Sequence, residues 1–147
     1  MKLSTRARYG TRALLDLAIN SSSEPVPLKS IAKRQALSLT YLEHLVTPLI
    51  AAGFVRSVRG SRGGIALAKP PKEIKLIDVL QVLEGASYPV ECIGDPSLCN
   101  RSGTCVTRDL WSEVQDAMNQ VLENTTLQDL VERHKAKETC GEEMYYI

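Results

Sequence analysis

Residues 28–68 read LKSIAKRQALSLTYLEHLVTPLIAAGFVRSVRGSRGGIALA, and this stretch decides the fold. Its first part, Leu28 to Gln35, has the spacing of a short helix with an apolar and a basic face. After a three-residue turn, a second helix is expected from about Leu39, with Pro48 inside its apolar stripe as the place for a kink or local loosening. Gly53 is the expected end of that helix, since glycine commonly follows a helix C-terminus. The order is helix, turn, helix.

A β-hairpin with a basic tip is expected directly after the second helix. Residues 54–59 show the alternation of apolar and polar side chains that is typical of a strand, residues 60–64 form a glycine-rich turn, and residues 65–68 form the returning strand. A helix–turn–helix followed by a two-stranded hairpin is the element order of a winged helix. The predicted fold class is therefore mainly α with a small β-hairpin wing.

Further helices are expected on both sides of this unit. Ser4 is a plausible N-cap for a helix through about Asn20. A short helix is expected from Ile77 to Glu84, with the side chains of Ile77, Leu80 and Leu83 facing the core. These helices supply apolar surface for the core of the winged unit.

The C-terminal part is predicted to contain a long helix from Arg108 to Glu123, capped by Thr107, and a second one from Thr126 to about His134. The apolar stripe of the long helix is too wide for a small domain to leave exposed to solvent, which suggests that it forms a dimer interface. The alternative is that the stripe packs onto its own domain. The dimerisation candidates are Leu110, Trp111, Val114, Met118 and Val121.

The charge is distributed unevenly along the 147 residues. Residues 1–75 hold 13 basic and four acidic side chains, a net +9, whereas residues 76–147 hold five basic and 13 acidic ones, a net −8. A basic half favours a polyanion partner. The expected divisions are a DNA-binding domain, a connecting helix with a cysteine loop, the dimerisation helix with the helix after it, and a polar tail, at residues 1–75, 76–107, 108–135 and 136–147.

The residues of the winged unit suit double-stranded DNA. Short donors and an aromatic begin the second helix, and arginines flank glycines at the hairpin tip, where backbone and guanidinium groups reach phosphate or base edges. A unit that binds another protein is the alternative. The DNA-contact candidates are Ser38, Thr40, Tyr41, His44, Arg59, Gly60, Ser61 and Arg62.

Three of the four cysteines, Cys92, Cys99 and Cys105, lie in an irregular loop rich in turn-forming residues. Their gaps are wider than the pairs of structural zinc ribbons. Thiolates on a flexible loop suit an iron–sulfur cluster, since cysteine is its usual ligand. On spacing alone, a zinc site and reduced structural cysteines remain as alternatives to the cluster.

Four segments resemble the family of cluster-binding repressors that includes IscR, with NsrR and RirA among its relatives. They begin at Met1 (MKLSTRARYG), Tyr41 (YLEHL), Val58 (VRGSRGG) and Cys105 (CVTRDLW), and the match covers about residues 1–135. The resemblance implies a homodimer with a winged helix at each end and a cluster loop near the long dimer helices. It also implies that cluster occupancy alters which promoters are bound.

The fourth cluster ligand departs from that family. IscR-type members carry a histidine where this chain has Arg108, and the NsrR type uses an aspartate where this chain has Arg8. Arginine stays protonated and is not expected to ligate iron. Three candidates remain, with preference in the order Glu43, His44 and Cys140.

The sequence thus predicts a DNA-binding transcription regulator, a repressor by type, controlled by a cluster on three cysteines. A 2Fe–2S cluster is favoured by resemblance, with 4Fe–4S as the rival. A cluster-independent, thiol-sensing repressor of the same fold and a cluster carrier are the other classes. No nucleophile or acid–base constellation indicates an enzyme. A cytoplasmic location is expected, since no stretch approaches the roughly 20 apolar residues of a membrane span.

Overall fold

The computed structural model describes residues 3–21, 24–86 and 88–143, with side chains up to Thr139. None of its helices is long and apolar enough to cross a bilayer. Single 3₁₀ turns lie at Pro71–Glu73 and Pro96–Leu98. The elements are α1 (Thr5–Asn20), α2 (Leu28–Gln35), α3 (Leu39–Ala51), β1 (Val55–Val58), β2 (Gly64–Leu67), α4 (Leu76–Glu84), α5 (Glu91–Gly94), α6 (Val106–Glu123) and α7 (Leu127–Glu143).

The helix–turn–helix lies where the sequence predicts it. The N-cap of α3 is Ser38, whose hydroxyl accepts the N–H of Tyr41 at 3.2 Å. The helix continues through Pro48 to Ala51. It then closes with two hydrogen bonds, from the N–H of Gly53 to the carbonyl of Ile50 and from that of Phe54 to Leu49, each 3.0 Å. Gly53 has φ +76°, the left-handed conformation that this type of C-terminus requires.

The wing is an antiparallel hairpin whose register pairs Val55 with Leu67 and Val58 with Gly64. Val26, ahead of α2, adds a bridge to Ile65, with N–H to carbonyl distances of 2.8 and 2.9 Å. Gly64 allows this approach, because a Cβ there would lie 2.4 Å from the Val26 carbonyl oxygen. The base of the wing is thereby joined to the helical unit, and its tip extends beyond it.

One hydrophobic core joins the two halves of the chain. It contains residues of α1, α2, α3 and both strands together with Val79 and Leu83 of α4 and Leu127 of α7. The predicted inward face of α4 is partly wrong. The buried positions are Leu76, Val79 and Leu83, while Ile77 and Leu80 are half-buried. The stripe of Leu76, Val79 and Leu83, spaced three and four residues apart, is buried because α4 packs against α1 and α3.

The ends of the two C-terminal helices differ from the prediction. The N-cap of α6 is Cys105 rather than Thr107. Thr126 does cap α7: its hydroxyl accepts the N–H of Asp129 at 3.2 Å, and the Asp129 carboxylate accepts the Thr126 N–H at 2.7 Å. The helix continues to Glu143 instead of ending near His134, because residues 135–143 are rich in the good helix formers Lys, Ala and Glu.

Candidate nucleic-acid interface and cysteine loop

The predicted DNA-contact residues of α3 occupy its first turns. Ser38 and Thr40 are exposed, and so are Glu43 and His44 one turn later. Tyr41 is half-buried, because its ring packs against another aromatic side chain. The start of α3 therefore presents two hydroxyls, a carboxylate and an imidazole to solvent.

The wing tip exposes all four of its predicted contact residues, Arg59, Gly60, Ser61 and Arg62. Gly60 has φ +120°, which β-carbon-bearing residues rarely adopt, and the N–H of Gly63 closes the turn onto its carbonyl at 3.0 Å. Arg62 lies 3.7 Å from Glu24, with both side chains largely in water. A pair this exposed holds the guanidinium weakly, so Arg62 stays available to a polyanion.

Sequence reasoning missed a basic and aromatic cluster on α1. Tyr9 is half-buried and meets Tyr41 edge-to-face with ring centroids 6.3 Å apart. The guanidiniums of Arg8 and Arg12 lie 5.7 and 5.4 Å from the centroid of the Tyr9 ring. The sequence feature that could have revealed this cluster is the four-residue spacing of the two arginines, which places them on one helix face.

A buried ion pair joins α1 to α2. The Asp16 carboxylate, 4% exposed, accepts hydrogen bonds from the Arg34 guanidinium at 2.6 to 3.1 Å. Gln35 donates to the same carboxylate at 2.8 Å and accepts from Arg12 at 3.1 Å. Arg34, on the basic face of α2, stays 39% exposed while its guanidinium neutralises the buried Asp16 carboxylate.

The predicted irregular loop contains two short helical turns, and the three cysteines lie on or beside helical segments. Cys92 lies in α5, Cys99 follows the 3₁₀ turn, and Cys105 is the N-cap of α6. All three thiols are free and half-buried. The pKa of Cys105 is lowered, first by its hydrogen bond with the Thr107 hydroxyl at 3.1 Å and next by the backbone N–H of Arg108.

The donor types of this loop suit an iron–sulfur cluster, because three accessible thiols are the ligands that iron takes in such clusters. The thiols are not assembled in advance, however. Within the described ranges, no group of three or more Cys, His, Asp or Glu side chains is placed to hold a metal ion. A cluster would therefore require the loop between α4 and α6 to close around it.

The candidates for a fourth ligand lie apart from the loop or outside the described side chains. Glu43 and His44 are on α3, and the side chain of Cys140 is outside the described part. Arg108 has a structural contact, since its Nε donates to the carbonyl of Cys92 at 3.0 Å. This bond ties the start of α6 to α5.

The apolar stripe of α6 is largely uncovered. Leu110, Trp111 and Val121 are 51%, 39% and 65% exposed, and Val114 and Met118 are half-buried. The only buried residue described in α6 is Gln115, which faces the groove between α6 and α4. Packing onto its own domain thus leaves most of the predicted dimerisation residues accessible.

Comparisons with known proteins agree with this architecture. A family model described as "Rrf2: Iron-dependent Transcriptional regulator" matches residues 3–133. Protein rrf2 of Nitratidesulfovibrio vulgaris is 45% identical over 131 residues, covering 89% of this chain and 87% of that protein. The regulator CymR of Bacillus subtilis is 42% identical over an alignment of 150 positions that covers both chains fully.

Solved structures show the same fold. That of B. subtilis CymR, called its global cysteine regulator, has a TM-score of 0.78 at 41% identity and covers 90% of this chain and 98% of that chain. IscR of T. potens has a TM-score of 0.75 at 39% identity, covering 91% and 88%. The resemblance to IscR and the winged-helix fold are confirmed. The chain belongs to the Rrf2 family of transcriptional regulators.

Proposed function

We propose that this regulator acts in the cytoplasm as a homodimeric repressor, with the exposed start of α3 in the major groove of operator DNA and the wing on the adjacent backbone. Exposure of Ser38, Thr40 and His44, and of the whole tip from Arg59 to Arg62, supports this placement. The +9 charge of residues 1–75 supplies the attraction to DNA.

We expect Arg59→Ala/Arg62→Ala to weaken operator binding and to flatten its salt dependence. Each phosphate contact contributes about −0.9 to the slope of log K against log salt, so the slope should fall by up to about 2. Fluorescence anisotropy from 50 to 300 mM salt, about the range over which such contacts weaken, measures it. Lys72→Ala, an exposed cation outside the strands and tip of the wing, is the control; equal effects of both variants would contradict the wing assignment.

The control of DNA binding is proposed to reside in the cysteine loop, with Cys92, Cys99 and Cys105 holding an iron–sulfur cluster, 2Fe–2S in preference to 4Fe–4S. The observation that carries this is the position of the loop. It connects α4, which packs against both α1 and α3, to the start of the α6 helix. Bound there, the cluster would supply sensitivity to iron, oxygen or nitric oxide.

Contacts within the chain connect the cysteine loop to the DNA-reading helix α3. Closing the loop would draw α5 and the N-terminus of α6 together, where Arg108 already holds the Cys92 carbonyl. A shift of α4 would then move α3, because the two helices share the core through Val79 and Leu83. The loop-closed and loop-open states need different operator affinities for this switch to work.

Anaerobic reconstitution with iron and sulfide tests the cofactor. The expected result is visible absorption, with iron and sulfide in stoichiometric amounts, that is lost in Cys92→Ala. A colourless protein that binds zinc instead would contradict the proposal. If Cys92→Ala and the wild type show the same operator affinity with and without reconstitution, the switching role is wrong even where a cluster is present.

For the fourth ligand, Glu43 is proposed ahead of His44 and Cys140, because a ligand on α3 would couple the cluster directly to the DNA-reading helix. Reconstituted Glu43→Ala, His44→Ala and Cys140→Ala should differ, with the true ligand variant showing an altered absorption and circular dichroism spectrum. If the spectra of all three variants are unchanged, none of these residues is the fourth ligand, and the cluster is held by thiols alone or with a solvent ligand.

Thiol sensing without a cluster is the second candidate function. It is favoured by the lowered pKa of Cys105, since thiolates react with oxidants far faster than thiols, and by the absence of a preassembled metal group among the described residues. Its signature would be loss of operator binding after peroxide treatment of a metal-free protein, reversed by dithiothreitol and abolished in Cys105→Ser.

A further inference from the structure

We propose that Arg108 is a positioning residue of the cysteine loop, which bonds the backbone of Cys92 to that of Cys105 before any iron is present. Arg108 acts through hydrogen bonds and not as a ligand, because its guanidinium stays protonated. The inference rests on the proposed iron–sulfur cluster on the three cysteines. It assigns to Arg108 the task of holding two of the three ligand residues in place.

The carbonyl of Cys92 needs a donor that its own helix does not supply. In a continuing helix this carbonyl would accept the N–H of the residue four positions later. That residue is Pro96, which has no N–H. The guanidinium of Arg108 takes its place, since its Nε donates to the Cys92 carbonyl at 3.0 Å. A side chain from α6 therefore completes the C-terminal end of α5.

The backbone of Arg108 is in turn bonded to Cys105. Its N–H donates to the Cys105 carbonyl at 3.0 Å in the first turn of α6, where Cys105 is the N-cap. The Arg108 side chain is half-buried, and its bond to Cys92 spans 16 residues of sequence. One residue thus connects the backbones of two cysteines that lie on different helices.

The position of α5 depends on such contacts, because a helix of only four residues is not stable by itself. The ring of Tyr88 packs on α5 at Gly94, where an added Cβ would lie 2.5 Å from the ring carbon Cε2. This ring contact limits how far α5 can move, but it has no directional hydrogen bond. The bond from Arg108 supplies that direction, so the orientation of α5, and with it of Cys92, depends on Arg108.

The hydrogen bonds of Cys99 are of a different kind. Its N–H donates to the Pro96 carbonyl at 3.4 Å, and its own carbonyl accepts from Ser102 at 3.0 Å, so both bonds are local to the loop. Closure of the loop should therefore consist mainly of a movement of Cys99 toward the other two cysteines. Holding two ligand residues in advance lowers the entropy that is lost when the third joins them.

The test compares Arg108→Gln with Arg108→Met in the full-length protein. The glutamine Nε2 is as many bonds from Cα as the arginine Nε, so it can donate to the Cys92 carbonyl without a charge, whereas methionine has a similar length and no donor. After anaerobic reconstitution with iron and sulfide, the visible absorption of Arg108→Met should be lost to EDTA about tenfold faster than that of the wild type, as expected when a partner that orients a ligand is removed. Arg108→Ala should behave as Arg108→Met, and Arg108→Gln should keep the wild-type rate and visible circular dichroism.

Arg101→Met is the matched control, because it removes an exposed cation of the same loop. If its cluster is lost as fast as that of Arg108→Met, the effect is one of general charge and the inference is overturned. A cluster as labile in Arg108→Gln as in Arg108→Met, or one of wild-type stability in Arg108→Met, also overturns it and leaves the proposed function intact. A wild type that assembles no cluster would refute the proposed function and the inference with it. Thermal unfolding of the metal-free proteins verifies that each variant is folded.

Discussion

At the scale of single residues, the winged unit depends on the Asp16–Arg34 pair. Asp16 is buried in the α1–α2 contact, and its oxygens accept from Arg34 and Gln35. The pKa of Arg34 is raised, chiefly by this hydrogen bond. A buried carboxylate is tolerated only while its partners remain, so the pair acts as a requirement for α2 to dock in one position.

Arg34→Ala should therefore lower the free energy of unfolding by about 1–3 kcal/mol, since it leaves a buried acceptor without its charged partner. Urea denaturation followed by circular dichroism measures it. Lys33→Ala, which removes the neighbouring exposed cation of α2, should change stability by less than about 0.5 kcal/mol. Equal losses in the two variants would mean that the buried pair has no special role.

At the scale of elements, α7 depends on its N-terminal capping box. Thr126 and Asp129 exchange hydrogen bonds, and Asp129 also accepts from the Thr126 hydroxyl at 2.7 Å. The hydrogen bonds from Thr126 lower the pKa of Asp129. Leu127, the first residue of α7, and Val131, one turn later, are buried, so the cap positions the part of α7 that completes the core.

Thr126→Ala should destabilise the protein by about 1 kcal/mol through loss of this cap. Because the folded pKa of Asp129 lies below its unfolded value, its contribution is present above the unfolded pKa, about 4, and is lost as pH falls through the folded pKa. Thermal unfolding between pH 3 and 7 (about the window set by carboxyl pKa values) compares the wild type with Asp129→Asn, whose profile should be flatter. Thr139→Ala, at an exposed position late in α7, should leave the melting temperature nearly unchanged.

At the scale of the whole molecule, the exposed stripe of α6 supports the proposed homodimer. Val106 and Val121, near its two ends, are 78% and 65% exposed, and Leu110 and Trp111 lie between them. Apolar surface of this extent on a helix favours a partner, and a second copy offers an identical stripe. Two winged units joined in this way could read two half-sites of an operator.

Leu110→Glu/Val121→Glu should convert the proposed dimer to monomers, because two carboxylates would be desolvated in the seam. Sedimentation velocity at several protein concentrations measures the mass, and operator affinity should fall with it. Gln120→Glu places the same charge next to Val121 on an exposed polar position and should leave the dimer intact. A monomeric wild type, or a dimer that survives both charges, would exclude this seam.

The sequence by itself determined the elements of the winged unit, because caps, helical spacing and turn glycines act between residues close in the chain. Ser38, Gly53 and the glycines of the wing specify α3 and the hairpin locally. Cysteine spacing likewise identified the loop. The inward face of α4 differs from the prediction because it depends on packing against other helices. The end of α7 differs because the helix formers of residues 135–143 extend it, and α6 begins at Val106 instead of about Arg108.

Only the tertiary structure decided which distant groups meet. The contacts of Tyr9 with Tyr41 and of Asp16 with Arg34 join residues of different helices, and no local pattern specifies such pairs. It also placed the three cysteines on separate turns between α4 and α6, with Arg108 bonded to the Cys92 carbonyl. The physical reason is that side-chain pairing across helices is set by how the hydrophobic faces dock, which involves the whole core at once.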